Sequence, residues 1–352
     1  MKNFYSDKLR NLTPYTPGEQ PKDGKYIKLN TNENPYPPSP KVVQAIVEAT
    51  AGLRLYPDPE CTDLKNVYAE YLNVKPENIF AGNGSDEVLA IAFQAFFAGK
   101  KDVIMPDITY SFYPVYCNLY DVDSIQVPVK EDFSIDYNMY IRPNNGIVIA
   151  NPNAPTSVAL GIDEIELIVK SNPNCVVLID EAYVDFGAES AVCLVNKYEN
   201  LLVVSTFSKS RSLAGLRIGF AAGNENLIKA METVKDSINS YPVDILAQEG
   251  AKAAILDMKY FEQMRAKVIK TRDITKKNLE SSGFTVLPSK ANFLFIKHKT
   301  KPADYIFQEL KKEKILVRYF NKPRIDNYLR VSIGTDEQME TFFKIIKEIG
   351  EK

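Results

Sequence analysis

Short apolar runs alternate with amphipathic stretches along most of this chain, and that alternation sets the elements it predicts. The runs IFA at 79–81, DVIMP at 102–106, SIQVPV at 124–129, GIVIA at 146–150, CVVLID at 175–180 and LLVV at 201–204 are short and β-branched, as buried strands are. Between them the period becomes helical. Ser39 and Pro40 predict a helix start, with Val43, Ile46 and Val47 as its apolar face and Gly52 closing it. Thr62 is read as the cap of a second helix carrying Leu64, Val67, Tyr68, Tyr71 and Leu72. A third helix is expected from about Ser85 to Phe97, after Gly82-Asn83-Gly84, and a short one in the aromatic-rich TYSFYPVYCNLY. IDEIELIVKS and ENLIKAMETVKDSIN add two more, and two long helical patterns run from about Asp244 to Ser282. Strands alternating with helices predict a mostly parallel sheet covered on both faces.

The two ends of the chain read differently. Residues 1–40 form a loop-rich arm, with a short strand near Tyr26 to Leu29 and with Pro35, Pro37, Pro38 and Pro40 forbidding a helix. Residues 283–352 read as a small α+β domain, with strands in FTVLPS, ANFLFIK, ILVRYF and YLRVSIG and helices at 303–312 and 336–349. The expected organisation is therefore an arm (1–40), a large α/β domain (41–243), connecting helices (244–282) and a small domain (283–352).

Composition narrows the function classes. The chain has 352 residues, is 45% hydrophobic and 25% charged, and has a formal net charge of −2. Nothing in that balance favours a nucleic-acid or membrane surface. No apolar run approaches the roughly 18 to 20 residues of a membrane span, and the N-terminus lacks an apolar signal core, so a cytoplasmic protein is expected. Cys61, Cys117, Cys175 and Cys193 lack metal-ligand spacing and read as free thiols in a reducing compartment. The single histidine, His298, lies between lysines and reads as solvated. Mechanisms needing a histidine base or a histidine-bound metal lose their support, and no metal site is expected.

The candidate chemistry gathers at strand ends, where parallel sheets bind their ligands. Lys209 follows the 201–204 run, with Thr206 and Ser208 before it and Arg217 after Ala214-Gly215. An amine so placed suits a Schiff base to a phosphorylated aldehyde, with hydroxyls and a planar guanidinium for the phosphate. Ser85 and Asp86 open the helix after the glycines, where free N–H groups favour a phosphate; a plain helix cap accounts for the same residues. Asp180 ends a fully apolar run. Such a carboxylate needs a partner, and a protonated pyridine nitrogen is one; a helix cap, or a metal shared with Glu181, are the others. Tyr183 and Asn153 could reach a ring oxygen, and Tyr110 offers a face to stack on the ring.

Taken with KLNTNENPYPPSP, LYPDPE, GNGSDE, TYSFY, NPNAPT, IDEAYVDF, STFSKSRSLAGLRIG and YLRVSIGT, this order of residues resembles the fold-type-I pyridoxal-phosphate aminotransferases. It is most similar to their histidinol-phosphate aminotransferase family, from residue 28 to 335. The resemblance implies a large domain with a mostly parallel seven-stranded sheet between helices, a smaller α+β domain, and pyridoxal 5′-phosphate as cofactor. Lys209 would carry the cofactor and move the substrate proton. Asp180 would pair the ring nitrogen, Asn153 and Tyr183 the ring oxygen, and Tyr110 would stack. Ser85, Asp86, Thr206, Ser208 and Arg217 would lie at or near the phosphate. Tyr56 would reach the phosphate of a partner subunit in a homodimer. Arg330, with Arg318 as its second, would take the substrate's carboxylate or phosphate, and Tyr15 in the arm would close over it.

The implied reaction passes an amino group from a small-molecule donor to a keto acceptor: histidinol phosphate with 2-oxoglutarate, in histidine biosynthesis. An aromatic or other amino-acid aminotransferase, and a threonine-phosphate decarboxylase-like lyase, are the alternatives left open. Two departures stand out. Ala154 and Ser157 replace the family's usual Asn and Gly in the loop after Asn153, which predicts a local loop change. Arg211 stands where many relatives carry an aromatic or apolar residue, a departure expected to bear on the neighbourhood of the substrate.

Overall fold

The structure, a computed structural model, describes residues 4–6 and 8–351. Its centre is a seven-stranded sheet in the order Ile79–Gly82, Gly219–Gly223, Leu201–Thr206, Val177–Asp180, Gly146–Ala150, Val103–Pro106, Ser124–Val127. All run parallel except Gly219–Gly223, which is antiparallel to both neighbours. The strands predicted from the apolar runs are all present. Because both faces are covered, their inward residues are apolar on either side, and two separate hydrophobic cores result. One gathers Ile79, Ile147, Ile179 and Val203; the other gathers Val148, Leu178, Leu202 and Val204. Successive residues of one strand thus enter opposite cores, as the period of two requires.

A third core lies under a second, four-stranded antiparallel sheet, in the order Arg318–Tyr319, Leu329–Ser332, Phe293–His298, Phe284–Val286. Helices Ala303–Lys312 and Asp336–Glu351 cover it, together with the long helix Met258–Ser281 through Val268 and Leu279. The arm joins this unit: Ile27–Lys28 pairs in parallel with Ile315–Leu316, and Leu29 is buried in the same core.

The helix starts and faces match the sequence expectation in part. Ser39 does cap the helix Pro40–Ala49, accepting from Lys41 N. Its core residue, however, is Val42. Val43 and Val47 are 52% and 63% exposed and form, with Leu53 and Leu55, an apolar surface strip. The helix Thr62–Leu72 starts at Thr62, but the stabilising acceptor is the Asp58 carboxylate, which takes the N–H groups of Glu60 and Thr62. The helix Gly84–Phe96 is preceded by Asn83 rather than capped by Ser85, and Glu87 reaches back to accept from Asn83 N at 2.6 Å. His298 is only partly exposed; its ring packs edge-on against Phe284.

Candidate active site

The C-terminal ends of the parallel strands open into one cavity of about 660 Å³, within the size range of small-molecule sites. Tyr15, Ser85, Asp86, Tyr110, Asp180, Tyr183, Ser208, Lys209, Arg217, Arg318 and Arg330 all line it. Residues spread over more than 300 positions of sequence meet there because the arm, four strand ends and the second sheet converge on it.

Asp180 sits at the floor. It is 5% exposed, with Oδ1 accepting from Ala182 N at 3.1 Å and Oδ2 accepting from the Tyr113 hydroxyl at 2.8 Å. Burial pushes its acid up to about 6, against the pull of those two donors. Tyr113 is a site residue that sequence patterning does not single out. It is fully buried, and burial together with the Asp180 charge holds its own pKa well above the ordinary value, so it remains a donor. It lies in the helix Tyr113–Leu119, and its ring meets that of Tyr110 edge-on at 5.6 Å.

Lys209 enters from beyond the Leu201–Thr206 strand. Its Nζ lies 5.8 Å from the centre of the Tyr183 ring and donates to the carbonyl of Thr31 at 3.5 Å. Asn34 in the arm holds the backbone behind it, donating Nδ2 to the carbonyls of Lys209 and Ser210. On the opposite side Arg217 Nη2 meets Asp86 Oδ2 at 3.1 Å, while Tyr110 donates to Asp86 Oδ1 at 3.1 Å. Glycines make this corner possible. A Cβ on Gly84, which has φ of +80°, would stand 2.4 Å from Arg217 Nη2, and one on Gly219 would stand 2.4 Å from the Ser85 nitrogen. The sheet edge, the helix start and the guanidinium therefore close on one small space that exposes the helix's first N–H groups.

Two predicted residues lie just behind the wall. Thr206 accepts from Ser208 N at 3.1 Å and donates to the Ile218 carbonyl, shaping the turn that carries Ser208 and Lys209. Asn153 is buried, donating Nδ2 to Ile108 O and Thr156 Oγ1, and its Oδ1 has no protein partner. Its loop retains a compact turn despite the departures: Ser157 N donates to Asn153 O at 2.8 Å, and the Ser157 hydroxyl reaches Pro288 O. Tyr56 does not line the cavity. It is 82% exposed and stacks on Tyr241 at 4.8 Å, next to the apolar strip of Val43, Val47, Leu53 and Leu55.

Arg330 and Arg318 come from adjacent strands of the second sheet. Arg330 is anchored by Nη2 on the carbonyl of Asn30 at 2.8 Å, and its Nε has no protein partner. Burial lowers its pKa from the ordinary value. Arg318 reaches the Thr16 carbonyl in the arm, beside Tyr15, whose ring stacks on Phe112 at 4.8 Å. Arg211 is the correction here: it faces away from the cavity. Its guanidinium lies 3.8 Å from the Phe261 ring centre and donates to Ala254 O, so it is a packed structural cation.

A lysine, a buried carboxylate opposite it, an anion corner and a pair of arginines are the equipment of amino-group transfer on an anionic substrate. The family model of aminotransferase class I and II matches residues 24–346. The chain belongs to the class I and II aminotransferases. Among relatives of this aminotransferase, a histidinol-phosphate aminotransferase of Clostridium acetobutylicum is 56% identical over 349 residues, 99% of each chain. One from Acinetobacter baumannii is 53% identical, over 98% of this chain and 97% of its own. The fold is that of the histidinol-phosphate aminotransferase of Sinorhizobium meliloti, solved in complex with pyridoxal-5′-phosphate. The TM-score is 0.89 at 23% identity, over 100% of this chain and 98% of that one. No group of three or more metal-ligating side chains occurs among the described residues, nor a helix long and apolar enough to cross a membrane.

Proposed function

We propose that this aminotransferase uses pyridoxal 5′-phosphate to pass an amino group between histidinol phosphate and 2-oxoglutarate, as a cytoplasmic step of histidine biosynthesis. The single observation that carries the reading is the pairing of Arg318 with Arg330 at the mouth of a cavity floored by Asp180 and Lys209. The two histidinol-phosphate aminotransferases above, alike to this chain over nearly their whole length, support the choice of substrate.

The residues present fit the cofactor. Asp180 is a buried carboxylate whose two protein donors do not neutralise it, and a protonated ring nitrogen would. The close approach at Gly84 and Gly219 leaves a cradle of N–H groups and a guanidinium for a phosphate. When bound, the cofactor's cationic pyridine supplies an electron sink for charge left at the substrate's α-carbon. The chain's own groups do the rest. Asp180 would keep the ring nitrogen protonated. The backbone N–H groups at Ser85 and Asp86, together with Ser208 and Arg217 and with Thr206 behind them, would hold the phosphate. Tyr110 would stack on the ring, and Asn153 and Tyr183 would hold its oxygen. Lys209 Nζ would hold the cofactor and, when free, would take the proton from the substrate's α-carbon. Arg330 and Arg318 hold the carboxylate or phosphate of either substrate, and Tyr15 excludes water above them.

The reading includes a homodimer. Tyr56, with no role in its own cavity, stands beside an apolar strip suited to a second copy, from which it would reach the partner's phosphate corner. It also includes the division into an arm (1–40), a large domain (41–243), connecting helices (244–282) and a small domain (283–352), supported by the separate core of the second sheet.

The substrate test mixes the coloured holoenzyme separately with histidinol phosphate, phenylalanine, aspartate and threonine phosphate, and follows loss of the cofactor's visible absorbance. Histidinol phosphate should react fastest, leaving the pyridoxamine form of the cofactor. Its being among the slowest would overturn the substrate, and carbon dioxide release from threonine phosphate would overturn the reaction.

A further inference from the structure

Asn32 lies in the arm in the left-handed region, φ 57°, a backbone conformation that asparagine tolerates better than most residues. It is 1% exposed, in a buried polar group with Ser332, Asn292 and Tyr183. The donors and acceptors of that group leave little freedom. The Asn32 backbone N–H donates to Ser332 Oγ at 2.8 Å, so the serine's own proton is free to go elsewhere. It goes to Asn32 Oδ1 at 2.9 Å. With Oδ1 thus engaged, the other end of the carboxamide, Nδ2, faces the Tyr183 hydroxyl at 2.9 Å. An amide NH₂ only donates. The Tyr183 oxygen is therefore an acceptor there, and its proton points to its other neighbour, the cavity that Tyr183 lines.

We infer that Asn32 is a positioning residue. Held by Ser332, it obliges Tyr183 to present its phenolic proton to the ring oxygen of the bound cofactor. The inference rests on the proposed cofactor reading. It also accounts for the strand that carries Arg330 carrying Ser332 two positions later: the same face of the strand places the substrate's guanidinium and sets the direction of the hydroxyl chain. Among the described residues, the charged and titratable groups facing Tyr183 include Lys209, Arg330 and Tyr110.

A proton donated to the ring oxygen makes that oxygen less basic, so its loss raises the pH midpoint at which the bound cofactor changes colour. Asn32→Asp replaces the donor with an acceptor and turns the phenolic proton away. The holoenzyme's spectrophotometric titration should then shift upward by about one pH unit, the size of one hydrogen bond. Tyr183→Phe should shift it similarly, and the double variant should add nothing to Tyr183→Phe. Ser332→Ala, a smaller change, should move it part of the way, and a melting temperature for each apoprotein separates this effect from unfolding. Tyr183→Phe moving the midpoint while Asn32→Asp and Ser332→Ala leave it in place would overturn the inference. A midpoint indifferent to Tyr183→Phe would instead overturn the cofactor's placement.

Discussion

Arg318 and Arg330 are direct register partners on neighbouring antiparallel strands, and both guanidinium groups lie near the Phe320 ring, at 5.7 and 5.6 Å. Like charges opposed across a ladder destabilise a sheet. Among the described residues neither forms an ion pair with a carboxylate; Arg330 is anchored on a backbone carbonyl and Arg318 on another. Such a pair is stable in the presence of an anion that both can reach. Replacing Arg330 by Ala should lower kcat/KM for donor and acceptor alike, by about 100-fold, as for the loss of charged hydrogen bonds. Arg330→Lys should recover little of it, because an ammonium does not reproduce the planar fork. Steady-state kinetics with each substrate varied in turn is the check. A loss confined to one substrate would show that the two do not share the site.

Asp180 gives a pH dependence with a defined sign. Its acid is raised to about 6 by burial, and only the carboxylate can pair a ring cation. Cofactor affinity of the apoenzyme should therefore fall as pH drops through about 6. Tyr113→Phe removes a donor that favours the carboxylate, so the fall should begin about one unit higher. Fluorescence titration with the cofactor at several pH values, wild type against variant, reads this, and the comparison cancels the free cofactor's own titration.

The phosphate corner depends on missing side chains. Gly219→Ala would push a methyl group into the Ser85 nitrogen, from which an ideal Cβ is 2.4 Å, and backbone cannot step aside cheaply. Overpacking of this kind costs about 1–3 kcal/mol. The expected outcome is a lower melting temperature and a cofactor dissociation constant at least about tenfold weaker, measured by calorimetry. The conservative control is Gly215→Ala, where nothing lies within 4 Å of the added carbon.

Shared sites can be tested by complementation. Lys209→Ala and Tyr56→Ala variants should each be poorly active. Mixed and allowed to exchange subunits, they should regain activity, because one site of the mixed dimer then has both residues intact. No recovery in a mixture shown to have exchanged would mean that Tyr56 is not contributed across a subunit interface.

The strand ends that carry Lys209 and Asp180 are legible in the sequence because a charge placed just after a fully apolar run must either find a partner or face a cavity. Asn32 and Tyr113 are not legible in this way. Asn32 stands among prolines and asparagines that all read as turn formers, and Tyr113 is one of several tyrosines in TYSFYPVYCNLY, where helix phase decides which one faces Asp180. The face of the Pro40–Ala49 helix is ambiguous for a related reason. Apolar residues lie on two of its sides, and pattern alone does not tell the core side, Val42, from the exposed strip of Val43 and Val47. Arg211 is close in sequence to Lys209, which suggests a place near the substrate, but the turn after the lysine sends it back into an aromatic cluster.

The most direct test of the account is to reduce the holoenzyme with borohydride, digest it, and locate the cofactor by mass spectrometry. The account predicts one reduced adduct, on the peptide containing Lys209, absent from Lys209→Ala. An adduct on another lysine, or a protein that binds the cofactor without any reducible link, would contradict it.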